Sequence, residues 1–344
     1  LALAYDFSGV YQNLSDEASR ALSELGVTSA DADALSALSF ENVMAALSKM
    51  AGSGMTAPLK GLITMTAVLL LCSMLTAYQN SLTESGETVQ TVAVLCLSGA
   101  VAVPAVGFIG TAGDVIAQCA NLFLAYIPIM AVMLAASGKA VSSASYQALT
   151  VAAGQGVMRV SSDMILPLLH IFLGIAVSSG IAPQVGLGGF LSLITKLTKW
   201  LLGFVMAIFT AVLSLRQAAS GALDSLGSKA ARFALSSFVP VVGGALSEAY
   251  KTVQGSLHVL RSGLGIFVIL ALAFTFLPVL LQGLGWSLCL FVGKALAEAL
   301  GVSHCAKLLE ALGTVFSTLT AVLLCVPAVL LIAAAAAFAI GGEA

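Results

Sequence analysis

The sequence predicts an all-α polytopic transmembrane bundle of about eight spans, with a small helical extramembrane region at its N-terminal end. Three observations carry this. Of 344 residues, 59% are hydrophobic and only 9% charged, whereas soluble domains carry about 25% charged residues. From Pro58 onward, apolar stretches recur at the length a helix needs to cross ~30 Å of hydrocarbon. Just over half of the charged residues fall in two stretches, residues 5–57 and 214–261. A net charge of −2 excludes the basic field that a nucleic-acid partner would need.

The chain opens Leu-Ala-Leu-Ala-Tyr-Asp, and Ala2-Leu3-Ala4 has the form of a signal-peptidase site. Residues 1–4 read either as a signal-peptide remnant or as chance in an Ala/Leu-rich chain. The first reading puts the N-terminus outside the cytoplasm. Residues 1–57 form the extramembrane region, rich in acid (Asp6, Asp16, Glu17, Glu24, Asp31, Asp33, Glu41) against Arg20 and Lys49. Ser15-Asp16-Glu17 starts a helix and Gly26 stops it. Asp31 starts a second, whose apolar face is Leu35, Leu38, Val43, Leu47 and Met50, and Gly52 ends it. Such a face needs a partner, either the chain's own membrane domain or another protein.

Residues 58–344 form the membrane domain. Spans are expected near 59–79, 89–111, 115–137, 160–182, 200–216, 263–283, 285–301 and 311–340. The pair 263–283 and 285–301 requires a tight turn around Gln282–Gly285. Residues 139–158, rich in Ser, Ala and Gly, fit no span clearly. Val103-Pro104-Ala105-Val106-Gly107 echoes Val239-Pro240-Val241-Val242-Gly243, with a Gln following each Pro by the same interval (Gln118, Gln254). This is either a tandem repeat, near 58–182 and 200–301, or coincidence in a low-complexity chain.

Residues 229–251, KAARFALSSFVPVVGGALSEAYK, raise the sharpest question. The uncharged run between Arg232 and Glu248 is short for a span and too apolar for a loop. Pro240 removes a backbone donor and Gly243-Gly244 weakens the next turn. If 231–247 dips in without crossing, Lys139, Arg159, Arg216, Lys229, Arg232, Lys251, Arg261, Lys294 and Lys307 share the cytoplasmic side, as the positive-inside rule prefers. The segment is therefore expected to be re-entrant or interfacial. Its echo at 103–107 argues for a full crossing instead. Polar groups near hydrocarbon are costly, so Gln217, Asp224, Lys229, Arg232, Pro240, Gly243, Gly244, Glu248 and Lys251 are candidate channel, hinge or partner-contact residues. The bland alternative is an interfacial helix with snorkelling charges.

Pro104, Gly107, Asp114, Arg159 and Asp163 form a secondary set. Asp163 follows Arg159 at a helical pairing distance. Both aspartates are expected to cap helix starts at the interface, with a proton relay as the other reading. Enzyme signatures are missing: there is no HExxH, and Gly113-Asp114 lacks the GxGD form of membrane aspartyl proteases. The six cysteines lie in apolar runs without a CxxC, and the histidines are far apart. No enzyme activity, metal or cofactor is expected.

The region 214–265 resembles the stage III sporulation protein AE family. The resemblance rests on Ser214-Leu215-Arg216-Gln217, Asp224, Lys229, Arg232-Phe233, Val239-Pro240-Val241-Val242-Gly243, Glu248-Ala249, Gly263 and Gly265. It extends to Pro128, Ala135-Ala136-Ser137-Gly138 and Leu166-Pro167-Leu168-Leu169. Leu223-Asp224-Ser225 and Ser247-Glu248-Ala249 depart from the Asp-Gly and Asp-Ala expected there. The resemblance implies a multi-pass, permease-like subunit of the channel linking mother cell and forespore, in the mother-cell membrane around the forespore. It implies partners in a secretion-type ATPase and ring-forming subunits, with self-association as a further option. A scaffold that recruits these components through residues 5–57 and conducts nothing is the alternative.

Overall fold

The computed structural model describes residues 12–27, 39–80, 86–136, 140–181, 188–204, 207, 211 and 243–342. All regular structure among them is helical. Helix α1 (Asp16–Glu24) starts where the sequence indicates. The Ser15 hydroxyl accepts from the Ala18 amide at 3.1 Å, and Asp16 and Glu17 occupy the first turn, where the helix dipole favours negative charge. It also stops as expected. Gly26 takes a φ of 77°, which lets the Val27 amide reach back to the Leu22 carbonyl at 2.9 Å.

The apolar face of α1, formed by Ala18, Ala21 and Leu22, is buried. Its partner is the chain itself: α1 packs on the long helix α7 (Gly243–Ala299). The Ser15 hydroxyl lies 3.1 Å from that of Thr275. Thr275 already donates to the Ala271 carbonyl at 2.8 Å, so Ser15 is the donor of this bond.

Helix α2 (Phe40–Asn80) and helix α3 (Gly86–Ala136) are each continuous. Gly52 therefore does not end a helix, and the 57/58 boundary falls inside α2. The stretches 89–111 and 115–137, as far as Ala136, the last described residue of α3, form one helix, not two with a turn between. In α7 the expected turn at Gln282–Gly285 is likewise helical. The glycines there serve close packing. A Cβ on Gly283 would lie 2.8 Å from the Thr320 hydroxyl and 3.1 Å from the Phe108 ring, and one on Gly285 would lie 3.0 Å from Pro58. Glycine in a helix costs ~1 kcal/mol relative to alanine, and here it permits three other helices to contact α7.

Helices α4 (Ala140–Arg159) and α5 (Leu166–Ile181) are joined without a break by a wide π-helical turn, Val160–Ile165. Residues 139–158, ambiguous in sequence, thus lie largely within α4. The wide turn has a cause in Pro167, which has no N–H to give the Asp163 carbonyl, so the ladder must shift just before it. Helix α6 spans 188–204. Helix α8 (Ser303–Gly342) folds back from α7 at Gly301, whose φ of 73° brings the Val302 amide to the Ala297 carbonyl at 2.9 Å.

Contacts fix the register. Helices α2 and α7 run parallel: Gly54 approaches Pro278, Gly61 approaches Trp286, and the Ser73 hydroxyl donates to the Leu300 carbonyl at 3.3 Å. Helix α8 runs antiparallel to α7, with Gly293 near Leu309 and Gly283 near Thr320. Phe316 of α8 joins the three layers. Its ring centroid lies 5.6 Å from that of Phe108 on α3 and 5.5 Å from that of Trp286 on α7.

Among the described residues, five helical stretches are long and apolar enough to cross a membrane: Glu41–Tyr78, Thr91–Ala136, Val160–Ile181, Leu264–Ala299 and Ser303–Leu331. The helices themselves run further. At 51 and 57 residues, α3 and α7 are about 76 and 86 Å long at ~1.5 Å per residue, more than twice the hydrocarbon thickness of ~30 Å.

Candidate functional site

Most of the sequence-predicted site lies outside the described residues: Gln217, Asp224, Lys229, Arg232 and Pro240 fall there. Gly243, Gly244, Glu248 and Lys251 do not. They form the first turns of α7. The C-terminal part of the 229–251 stretch therefore runs directly into the helix that carries the 263–283 segment. The equivalent of Pro240 in the other half of the echo, Pro104, sits inside α3 without interrupting it.

The secondary set is dispersed. Gly107 and Asp114 are exposed positions in the interior of α3, and Asp163 is exposed in the wide turn. Neither aspartate caps a helix start, because the helix continues through both. Arg159 and Asp163 form no ion pair with each other. The described ion pairs are Lys49 with Glu24, and Lys294 with Glu298 and Glu310. The widened turn changes the angular spacing on which an i,i+4 pair depends.

The structure assembles a different site, which the sequence reading passed over. A cleft of about 350 Å³ opens between α6, α7 and α8, lined by Thr195, Lys199, Ser287, Leu290, Phe291, Lys294, Leu309, Glu310, Gly313, Thr314, Ser317 and Thr318. Gly301 creates it by folding α8 back on α7, which sets Lys294 opposite Glu310. The Lys294 ammonium lies 3.2 Å from the Glu310 carboxylate and 3.8 Å from that of Glu298. Lys294 is about a third exposed, so the pair opens onto the surface of the helix bundle.

Four of the five hydroxyls that line the cleft follow one rule. Ser287 donates to the Gly283 carbonyl at 2.9 Å, Thr195 to Leu191 at 2.8 Å, Thr314 to Glu310 at 2.9 Å and Thr318 to Thr314 at 2.7 Å. Their protons are committed to the helix turn behind them. What remains for an occupant is oxygen lone pairs. The cleft thus combines hydroxyl acceptors, one carboxylate and two ammonium groups. This set suits water and mobile polar groups. Among the described residues no group of three or more His, Cys, Asp or Glu side chains could hold a metal ion. The signal was present in the sequence: Glu310, Thr314, Ser317 and Thr318 recur at i, i+4, i+7 and i+8, one face of a helix.

A second opening has the opposite chemistry. Val68, Leu71, Cys72, Leu75, Val92, Ala93 and Cys96 line an apolar groove of about 330 Å³ between α2 and α3.

The family model for stage III sporulation protein AE matches residues 31–341. The chain belongs to that family. Both the described cleft and the 214–265 motif lie inside the match. The stage III sporulation protein AE of Bacillus subtilis strain 168 is 25% identical over 158 residues, which is 46% of this chain and 40% of that protein. The chain therefore matches less than half the length of this curated relative. No solved structure matches. Membership in the stage III sporulation protein AE family gives the chain a role in sporulation, and its long apolar helices give it the character of a membrane protein.

Proposed function

We propose that this stage III sporulation protein AE family member is the permease-like membrane subunit of a channel between mother cell and forespore. One observation supports this reading above the others. The α6–α7–α8 cleft places Lys294, Glu310 and a ladder of hydroxyls within helical stretches that are mostly apolar. Polar and charged groups in such surroundings are costly and mark a path or a contact. In this reading the chain sits in the mother-cell membrane with its N-terminus extracytoplasmic. A secretion-type ATPase supplies energy, and ring-forming subunits continue the path between the two membranes.

The scaffold alternative loses part of its basis. A recruiting surface in the N-terminal region needs a free apolar face, and in α1 that face is occupied by α7. The exposed side of α1 carries Asp16, Glu17, Arg20 and Glu24, and Glu24 is paired with Lys49.

The test combines access with function. Thr314→Cys and Ser317→Cys react with a charged thiol reagent in native membranes, and Glu310→Gln lowers the yield of heat-resistant spores at unchanged protein level. Full protection of both cysteines together with normal spore yield in Glu310→Gln would remove the conducting reading.

A further inference from the structure

The exposed stripe of α3 changes character along one helix. From Val92 through Leu95, Val103 and Val106 its large exposed residues are apolar. From Thr111 through Asp114, Gln118 and Asn121 they are polar, and beyond Asn121 the exposed positions are Pro128, Val132 and the terminal Ala135 and Ala136. The same change occurs on α2. Its exposed positions include Glu41, Asn42, Ser48, Lys49 and Thr56 before Pro58, and Leu59, Ile63, Leu70, Leu71, Met74, Leu75 and Tyr78 after it. On α7, Leu264–Gly283 exposes only Ile266 among its large apolar residues, whereas Leu284, Leu288, Phe291 and Val292 are all exposed.

These three changes lie at one level. Gly283 of α7 touches Phe108, beside the α3 change, and Gly285 touches Pro58, beside the α2 change. Above that level the exposed apolar run Leu59–Tyr78 rises about 29 Å along the helix, close to the ~30 Å of a hydrocarbon core. Exposed charged side chains stand at both margins, Lys60 and Asp114 at the lower and Glu298 and Lys307 at the upper, and between them are Glu310 and Lys199 of the cleft and the nearby Lys196. Below the level, Met44, Val132, Val151 and Ile266 are isolated exposed apolar residues, and Met164 and Leu324 stand at the margin itself.

The geometry points to a lipid bilayer that covers only one half of the long helices. The hydrocarbon ends at the plane of Pro58, Phe108 and Gly283. The α3 segment from Thr111 to Ala136, with α1, α4 and the first half of α7, projects from the membrane as a solvated helical body about 38 Å tall. Its core is apolar because the helices bury one another, not because lipid surrounds them. The hydroxyl cleft then lies within the embedded half.

The full chain reconstituted in phosphatidylcholine/phosphatidylglycerol vesicles tests this. In a Trp200→Phe, Trp286→Phe background, a tryptophan placed at Val103 loses emission several-fold when the acyl chains are brominated. One placed at Asn121 is unchanged. Equal quenching at the two positions overturns the proposal, because α3 is then embedded throughout. An unquenched Val103 also overturns it, because protein rather than lipid then covers the belt. The single exchange Gln118→Cys provides a check that leaves the core intact. It adds labelling by a charged maleimide in intact or opened vesicles, over the parent protein. Protection until detergent is added contradicts the proposal.

Discussion

The two halves of α3 belong to one uninterrupted helix and solve different problems. Residues 107–134 bury Phe108, Ile109, Ile116, Phe123, Tyr126 and Met130 against neighbouring helices and show Thr111, Asp114, Gln118 and Asn121 outward, with Pro128 and Val132 beyond them. Residues 92–106 bury Val94, Leu97, Val101 and Ala105, and also expose apolar side chains. The inward faces are equally apolar, so mean hydropathy cannot tell the halves apart. The outward face does, and it is visible only when the helices are placed together.

The largest effect that separates the halves is expected at the junction. Phe316 stacks on Phe108 and contacts Trp286, so Phe316→Ala should cost about 3–5 kcal/mol, as for a core aromatic. Leu71→Ala, at a 62% exposed position, should leave the thermal midpoint of the reconstituted protein nearly unchanged. A midpoint that moves equally in the two variants would mean that the belt is packed against protein.

Charge insertion sharpens the contrast. Leu71→Asp places a carboxylate in the belt and should reduce membrane insertion by ~2.5–3.5 kcal/mol. Asn121→Asp, on the same kind of surface one level down, should stay within about 0.5 kcal/mol. The fraction of protein recovered in the membrane pellet reports both. The smallest effect is expected where α1 meets α2. The Lys49–Glu24 pair at 3.0 Å has side chains 72% and 57% exposed, so Lys49→Ala should cost less than ~1 kcal/mol and lose even that in high salt. A larger loss, read as faster proteolysis of the N-terminal segment, would show that charge rather than the buried face of Leu22 holds α1 in place.

Much of this was legible in the residues, and the limits have physical reasons. The helical membrane class followed from composition and run length. Helix α1 was bounded correctly because capping by Ser15 and termination at Gly26 are local chemistry. The family was readable from the charged motif around Pro240. The number of helices was not. Gly283 and Gly285 look like turn residues in isolation, but in the bundle they let α2, α3 and α8 approach α7. Thr111–Asp114 read as a break for a related reason, since a polar residue between apolar runs looks like an interface whether or not the helix stops. Gly52 failed as a stop because the apolar run beyond Pro58 continues the same helix. The cleft was missed although Glu310, Thr314 and Ser317 share a face. Only the fold of α8 onto α7 sets them beside Lys294 and Ser287.

The most direct measurement is a nitroxide scan along the exposed stripe of α3 in bilayers, at Val92, Val103, Val106, Thr111, Gln118 and Asn121, comparing collisions with oxygen and with a water-soluble nickel chelate. A membrane that ends at the level of Phe108 predicts oxygen-dominated collisions through Val106 and nickel-dominated collisions from Thr111 onward. Oxygen-dominated collisions continuing through Asn121 would contradict it.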